Sequence, residues 1–224
     1  MNKFYHYGDS FATCDESEEI FSKGISTHFG LEWVEKSFSG KSNYFIATNL
    51  IKDLPTFNRG DKVLIGFTFF TRGDFINKNN ELSSMNVYYD DLGKNINDGY
   101  VDTELAKINS LSLNQKSNLL NYFVDYSWDY YIKNFKYLIN PIINQLISLG
   151  VDVRYKYLKK NDLYLDGNPI EFVNCLPNEL ELRFNEGDFI SYLKNHEWLK
   201  EESVHYKWDI QDKLADKVIE LWNK

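Results

Sequence analysis

A chain of 224 residues with 43% hydrophobic and 26% charged residues has the composition of an ordinary globular protein, long enough to bury a substantial core and too apolar to stay disordered. Its 25 Lys and Arg against 33 Asp and Glu give a net charge of −8, which argues against nucleic acid as a partner, because phosphate backbones are held by a basic footprint. Two cysteines, Cys14 and Cys175, are too few for a disulfide framework or a zinc cage; two reduced thiols are expected, with a single bridge between them as the unsupported alternative.

The first residues, MNKFYHYGDSF, lack the apolar stretch of a secretory leader, so a cytoplasmic location is expected. Lys3–Tyr7 alternates as a strand and stops at the turn-forming Gly8-Asp9-Ser10. A helix is predicted from Asp15 to Gly30, with Asp15 as cap, Glu18 three residues on, and Ile20, Ile25 and Phe29 on the apolar face. Glu32–Phe38 alternates again and ends at Ser39-Gly40, after which Ser42 can cap a helix to about Leu54. Pro55 and Arg59-Gly60-Asp61 make a turn, and Lys62–Phe70 follows as a continuous apolar run, the signature of a strand covered on both faces. That run is too short to cross a bilayer, and no membrane partner is expected.

From Arg72 to about Thr103 the chain is polar and rich in Asn, which reads as a long loop or lid. Arg72 follows the third strand; it is expected to pair with Asp74, with contact to an anionic or sugar substrate as the sharper role. Leu113–Gly150 is helical in pattern, and Pro141 predicts a break into two helices. Its aromatic residues Tyr122, Tyr126, Trp128, Tyr130 and Tyr131 are expected mostly in the core, with some facing a partner or a carbohydrate. Val151–Leu158 reads as a fourth strand, Phe189–Leu199 as a short helix, and Asp209–Trp222 as an amphipathic terminal helix. His6, His28 and His196 have no partner pattern and read as structural or surface residues.

Strand–helix–strand–helix–strand over the first seventy residues predicts a parallel sheet with helices on both faces. The chain is then a single α/β domain over residues 1–224, doubly wound in three layers, with the polar loop inserted at about 72–103. In such sheets ligands bind at the carboxyl ends of the strands, where the loops Gly8–Ser10, Ser39–Lys41 and Thr68–Arg72 would gather. Glu202-Ser203-Val204-His205 lies immediately before the terminal helix. The chain therefore supplies serine, histidine and carboxylate, the three groups that together activate a hydroxyl nucleophile.

In these blocks the sequence resembles the SGNH hydrolases, the GDSL-type serine esterases. The first block is Tyr7-Gly8-Asp9-Ser10-Phe11-Ala12, the second Ser37-Phe38-Ser39-Gly40-Lys41-Ser42-Asn43, and the last Glu202-x-x-His205, with Ala215 where a small residue is common. The blocks run in family order from one end of the chain to the other. Two departures stand out. Gly66-Phe67-Thr68-Phe69 replaces the family's Gly-x-Asn-Asp, so Thr68 occupies the position of an oxyanion donor, with Asn43 as a substitute donor; and Glu202 replaces an Asp.

The resemblance implies hydrolysis or transfer of a small acyl group, with O-acetyl on a carbohydrate as the substrate class, and neither metal nor organic cofactor. Ser10 would be the nucleophile, His205 the base and Glu202 its orienting carboxylate, with Glu201 and Asp209 as alternatives. Ser10, Gly40 and Thr68 would form the oxyanion hole, and Asp9 would brace the loop. Two other readings stay open. One is a catalytically silent SGNH-like domain for binding or assembly, favoured by the missing Asn and the aromatic surplus. The other is a flavodoxin-like binder of a phosphorylated ligand, using Ser10, Thr13 and the helix start. Homo-oligomerisation is also left open.

Overall fold

The computed structural model describes residues 1–8, 20–38, 41–68, 72–76, 82–86, 128–158, 161–163, 169–171, 176–184, 188–198 and 208–224. Four strands, β1 (Lys3–Tyr7), β2 (Glu32–Glu35), β3 (Lys62–Phe67) and β6 (Asp152–Tyr157), form one sheet in the order β2-β1-β3-β6, every pair parallel. This is the doubly wound order of flavodoxin-like α/β folds, in which the chain starts at a central strand and winds outward in both directions.

Helices cover both faces. On one lie α1 (Phe21–His28), α4 (Phe189–Asn195) and α5 (Gln211–Trp222); on the other lie α2 (Asn43–Asp53) and α3 (Trp128–Ser148). Strand alternation divides the core accordingly. Phe4 and Leu64 pack with Phe21, Ile25, Phe189 and Leu214, while Tyr5, Tyr7, Val63, Ile65 and Phe67 pack with Ile46, Leu50, Phe135 and Ile139. The architecture is thus three layers.

Local chemistry explains the boundaries. The Ser42 hydroxyl accepts the Phe45 N–H at 3.1 Å, capping α2 as the sequence predicts, and the Asp188 carboxylate caps α4 through Ser191 N–H at 2.8 Å. Gly30, at φ +65°, ends the first helical segment in the left-handed region open to glycine. That helix begins at Phe21, however, with Ile20 at the N-cap position and no side-chain cap of its own. The Asp15 cap therefore does not start α1; Asp15 itself lies outside the described residues, as do Cys14 and Cys175.

Two further expectations are corrected. Pro141 does not divide the long helix, which runs unbroken from Trp128 to Ser148. Proline deprives the carbonyl four residues back of its helical donor; that residue, Tyr137, is 78% exposed and Pro141 is exposed too, so water can serve in place of the lost N–H. The segment read as loop after Arg72 contains an antiparallel pair, β4 (Arg72–Ile76) with β5 (Leu82–Asn86). The Gly- and Pro-punctuated stretch after Lys159 holds a second short pair, β7 (Asn161–Leu163) with β8 (Pro169–Glu171). The side chains of β4, and with them the Arg72–Asp74 pairing, lie outside the described residues, as do those of Tyr122, Tyr126, Trp128, Tyr130 and Tyr131.

Candidate active site at the carboxyl edge of the sheet

β1 leaves the sheet at Tyr7 and β3 at Phe67, side by side, and this is the point from which the chain winds both ways. Gly8 is buried here, and its carbonyl accepts the Phe38 N–H at 3.1 Å, which draws the loop after β2 onto the end of β1. The Ser37 hydroxyl adds a bond to the His6 carbonyl at 3.3 Å. Phe38 itself is 47% exposed, leaving an aromatic ring at this edge beside Phe45, 5.4 Å away between centroids.

The end of β3 is fixed by a side chain acting as a peptide. The Asn43 carboxamide accepts the Thr68 N–H at 2.8 Å and donates to the Thr68 carbonyl at 3.2 Å, and both residues are fully buried. The Asn43 amide, expected as a substitute oxyanion donor, is thus engaged with the Thr68 backbone.

Two helices enter from the same edge. α1 follows β1 and runs toward the amino ends of the strands. α5 runs the same way, because Trp222 at its far end donates its indole N–H to Asp152, the first residue of β6, at 2.8 Å. A carbon added at Gly24 would come within 3.1 Å of the Ala215 Cβ, so the two helices cross on a pair of small residues. At their starts they are tied directly: the Gln211 carboxamide oxygen accepts the Phe21 N–H at 2.8 Å. This supplies from another helix the cap that α1 lacks in its own sequence.

Beneath the edge is a polar network that the sequence did not reveal. His6 is fully buried, and its Nδ1 lies 3.3 Å from Glu35 Oε2. Glu35 also accepts the Ser22 hydroxyl at 3.0 Å and the Ser37 N–H at 2.8 Å, and Ser22 in turn accepts the Trp33 indole N–H at 3.0 Å. His6 is therefore a buried residue with a specific partner that the sequence pattern does not show, while its Nε2 has none among the described residues. His28 and His196 are exposed, as read.

Burial alone would push the Glu35 carboxyl up, but His6 and the bonds from Ser37 and Ser22 outweigh it and hold the group below the ordinary 4.5. A depressed carboxylate stabilises the fold above its unfolded pKa and ceases to do so as pH falls through the folded one. Stability should accordingly decline on acidification below about pH 4.5, and Glu35→Gln should flatten that acid limb, as read from denaturant midpoints across pH. An unchanged limb would show that Glu35 does not contribute to it.

Of the residues the sequence singles out, Thr68 is placed, buried at the end of β3. Ser10, Gly40, Glu202 and His205 lie outside the described residues, as do Asp9, Thr13 and Glu201; Asp209 is exposed in the single 3₁₀ turn that leads into α5. Among the described residues no group of three or more His, Cys, Asp or Glu could hold a metal ion, and no helix is long and apolar enough to cross a membrane.

No family model matches the sequence, and no curated protein matches it. Among solved structures the chain is similar to the Bacillus subtilis protein YxiM, with a TM-score of 0.49 and 12% identity over 99% of this chain and 56% of that one. It thus spans little more than half of that protein's length. It is also similar to a chain described as a "putative GDSL-like lipase" from Parabacteroides merdae, with a TM-score of 0.47 and 12% identity over 99% of this chain and 95% of that one.

Proposed function

We propose that this chain is a serine ester hydrolase of the SGNH type, acting on a small acyl ester with O-acetyl on a carbohydrate as the substrate class. One observation carries the reading: the Gln211–Phe21 hydrogen bond joins the start of α1 to the start of α5. The segment with Ser10 leaves β1 at Gly8 and rejoins described structure at Ile20; the segment with Glu202 and His205 rejoins it at Trp208, three residues before Gln211. Nucleophile and base are nearly two hundred residues apart in sequence, yet each lies on a segment leading into one of two helices clamped together at one sheet edge.

In this reading the Ser10 hydroxyl attacks the acyl carbonyl while His205 takes its proton, and Glu202 holds the imidazole in the required tautomer. The carbonyl oxygen becomes an oxyanion, stabilised by the Ser10 and Gly40 N–H groups with Thr68 beside them. Collapse breaks the ester C–O bond, and His205 returns the proton to the departing alcohol. Water, activated by the same histidine, then cleaves the acyl-serine and frees the acid and Ser10. An acceptor alcohol in place of water would make the chain an acyltransferase by the same steps.

A second reading, a silent binding or assembly domain of the same fold, is favoured by Thr68: fully buried, it stands where the resemblance calls for an oxyanion-donating Asn. Intact-mass analysis after exposure to a fluorophosphonate separates the two. One adduct is expected on the native chain and none on Ser10→Ala. Absence of an adduct under conditions that label a control esterase would overturn the hydrolase and leave the binding domain.

A further inference from the structure

Among the described residues β2 is an edge strand of the sheet, yet the chain that follows it is held on β1. The Lys36 N–H donates to the His6 carbonyl at 2.8 Å and the Phe38 N–H to the Gly8 carbonyl at 3.1 Å, so parallel pairing continues past the end of β2. Alternation then turns the Ser37 N–H away from β1, to the side where an edge strand has no neighbour. Glu35 Oε1 accepts that N–H at 2.8 Å. Its Oε2 meanwhile lies 3.3 Å from His6 Nδ1 and accepts the Ser22 hydroxyl at 3.0 Å. One carboxylate thus joins the loop after β2 to both β1 and α1, the strand and helix that flank the segment containing Ser10.

Sequence position gives this contact its reach. Phe38 comes two residues before Gly40, and Gly8 two residues before Ser10. The Phe38 side chain is 47% exposed, so burial of its ring does little to hold the loop, and hydrogen bonds to an ionised acceptor are the stronger kind. We infer that Glu35 is a positioning residue: it holds the loop after β2 on the end of β1, and so registers the stretch leading to Gly40 against the turn leading to Ser10. For its catalytic consequence the inference rests on the proposed serine chemistry; the hold on the loop does not.

Two substitutions separate the acceptor from the bulk of the side chain. Glu35→Met keeps the volume and removes both oxygens, whereas Glu35→Gln keeps one oxygen for the Ser37 N–H. Asp61 gives the comparison at the opposite edge, since it is fully buried and accepts the Lys3 and Asn58 N–H groups, each at 2.8 Å. Each protein is measured, where it is folded, for Phe38 amide exchange by NMR and for the rate of fluorophosphonate labelling. Glu35→Met should speed Phe38 exchange and slow labelling, each about tenfold, and Glu35→Gln should restore most of both. Asp61→Ala should label at the native rate although it is destabilised. Native exchange in Glu35→Met would overturn the hold, and native labelling would overturn the positioning role. Losses as large in Glu35→Gln as in Glu35→Met, or equal slowing in Asp61→Ala, would also overturn it. If the native chain takes no adduct, the serine reading fails and the exchange comparison still decides the hold. If Glu35→Met does not fold, Ser37→Ala carries the test, because it removes only the hydroxyl bond from the same loop to the His6 carbonyl. Faster Phe38 exchange with slower labelling would then support the inference, and native values for both would overturn it.

Discussion

His205→Ala is expected to slow both ester hydrolysis and fluorophosphonate labelling by on the order of 10³-fold while leaving the melting temperature nearly unchanged. A serine hydroxyl is almost wholly protonated at neutral pH, and its attack on a carbonyl or phosphoryl centre needs a base in contact at the moment of bond formation. Native labelling should rise with pH as the neutral base replaces the imidazolium. The variant should lose this rise. Glu202→Gln should act in the same direction, since an amide no longer favours the tautomer whose free nitrogen faces the serine. The neighbouring carboxylates allow a clean comparison: Asp209 is exposed in the turn before α5, and Asp209→Asn should leave labelling at the native rate. If His205→Ala labels as fast as the native chain, the base lies elsewhere and the Ser-His-Glu assignment fails.

The features that position this edge differ in how far sequence reasoning reaches them. That the sheet is parallel is legible because helical segments separate the first three strands and can serve as the crossovers that parallel pairs require. The Ser42 cap is legible because the residue type and the apolar run after it lie within four positions. What escapes is whatever depends on register. His6 and Glu35 are 29 residues apart and become neighbours only because β1 and β2 pair in the one register that sets them opposite each other. Buried Lys156 reads as an ordinary polar position in an alternating strand until Gly66 is seen across from it. The start of α1 is missed for a related reason: its capping oxygen comes from Gln211, 190 residues away. Pro141 misleads because its cost depends on whether the deprived carbonyl faces core or water, which sequence pattern alone leaves open.

Asn43→Ala is expected to be among the most destabilising polar substitutions in the chain, costing on the order of 2–4 kcal/mol as read by denaturant unfolding. Asn43 is the first residue of α2 and Thr68 follows the last residue of β3, so their paired hydrogen bonds join a helix start to a strand end across the buried switch point. Alanine withdraws the two Asn43 hydrogen bonds from the Thr68 backbone at a fully buried position, and the cost is that of desolvated polar groups as well as of two lost bonds. Asn43→Asp separates the two contributions. It keeps an acceptor for the Thr68 N–H but sets a second oxygen against the Thr68 carbonyl, so it should also destabilise, and more strongly as pH rises and the carboxylate ionises. The consequence for activity follows from what the pair holds. If Thr68 and the loop before α2 border the oxyanion site, loosening their shared anchor should slow labelling of folded Asn43→Ala about tenfold, through misplacement rather than loss of a reacting group. A variant that melts as the native chain does would show that the switch point is held by other contacts. One that is destabilised but labels normally would separate the anchor from the chemistry and place the oxyanion donors on the Ser10 and Gly40 backbone alone.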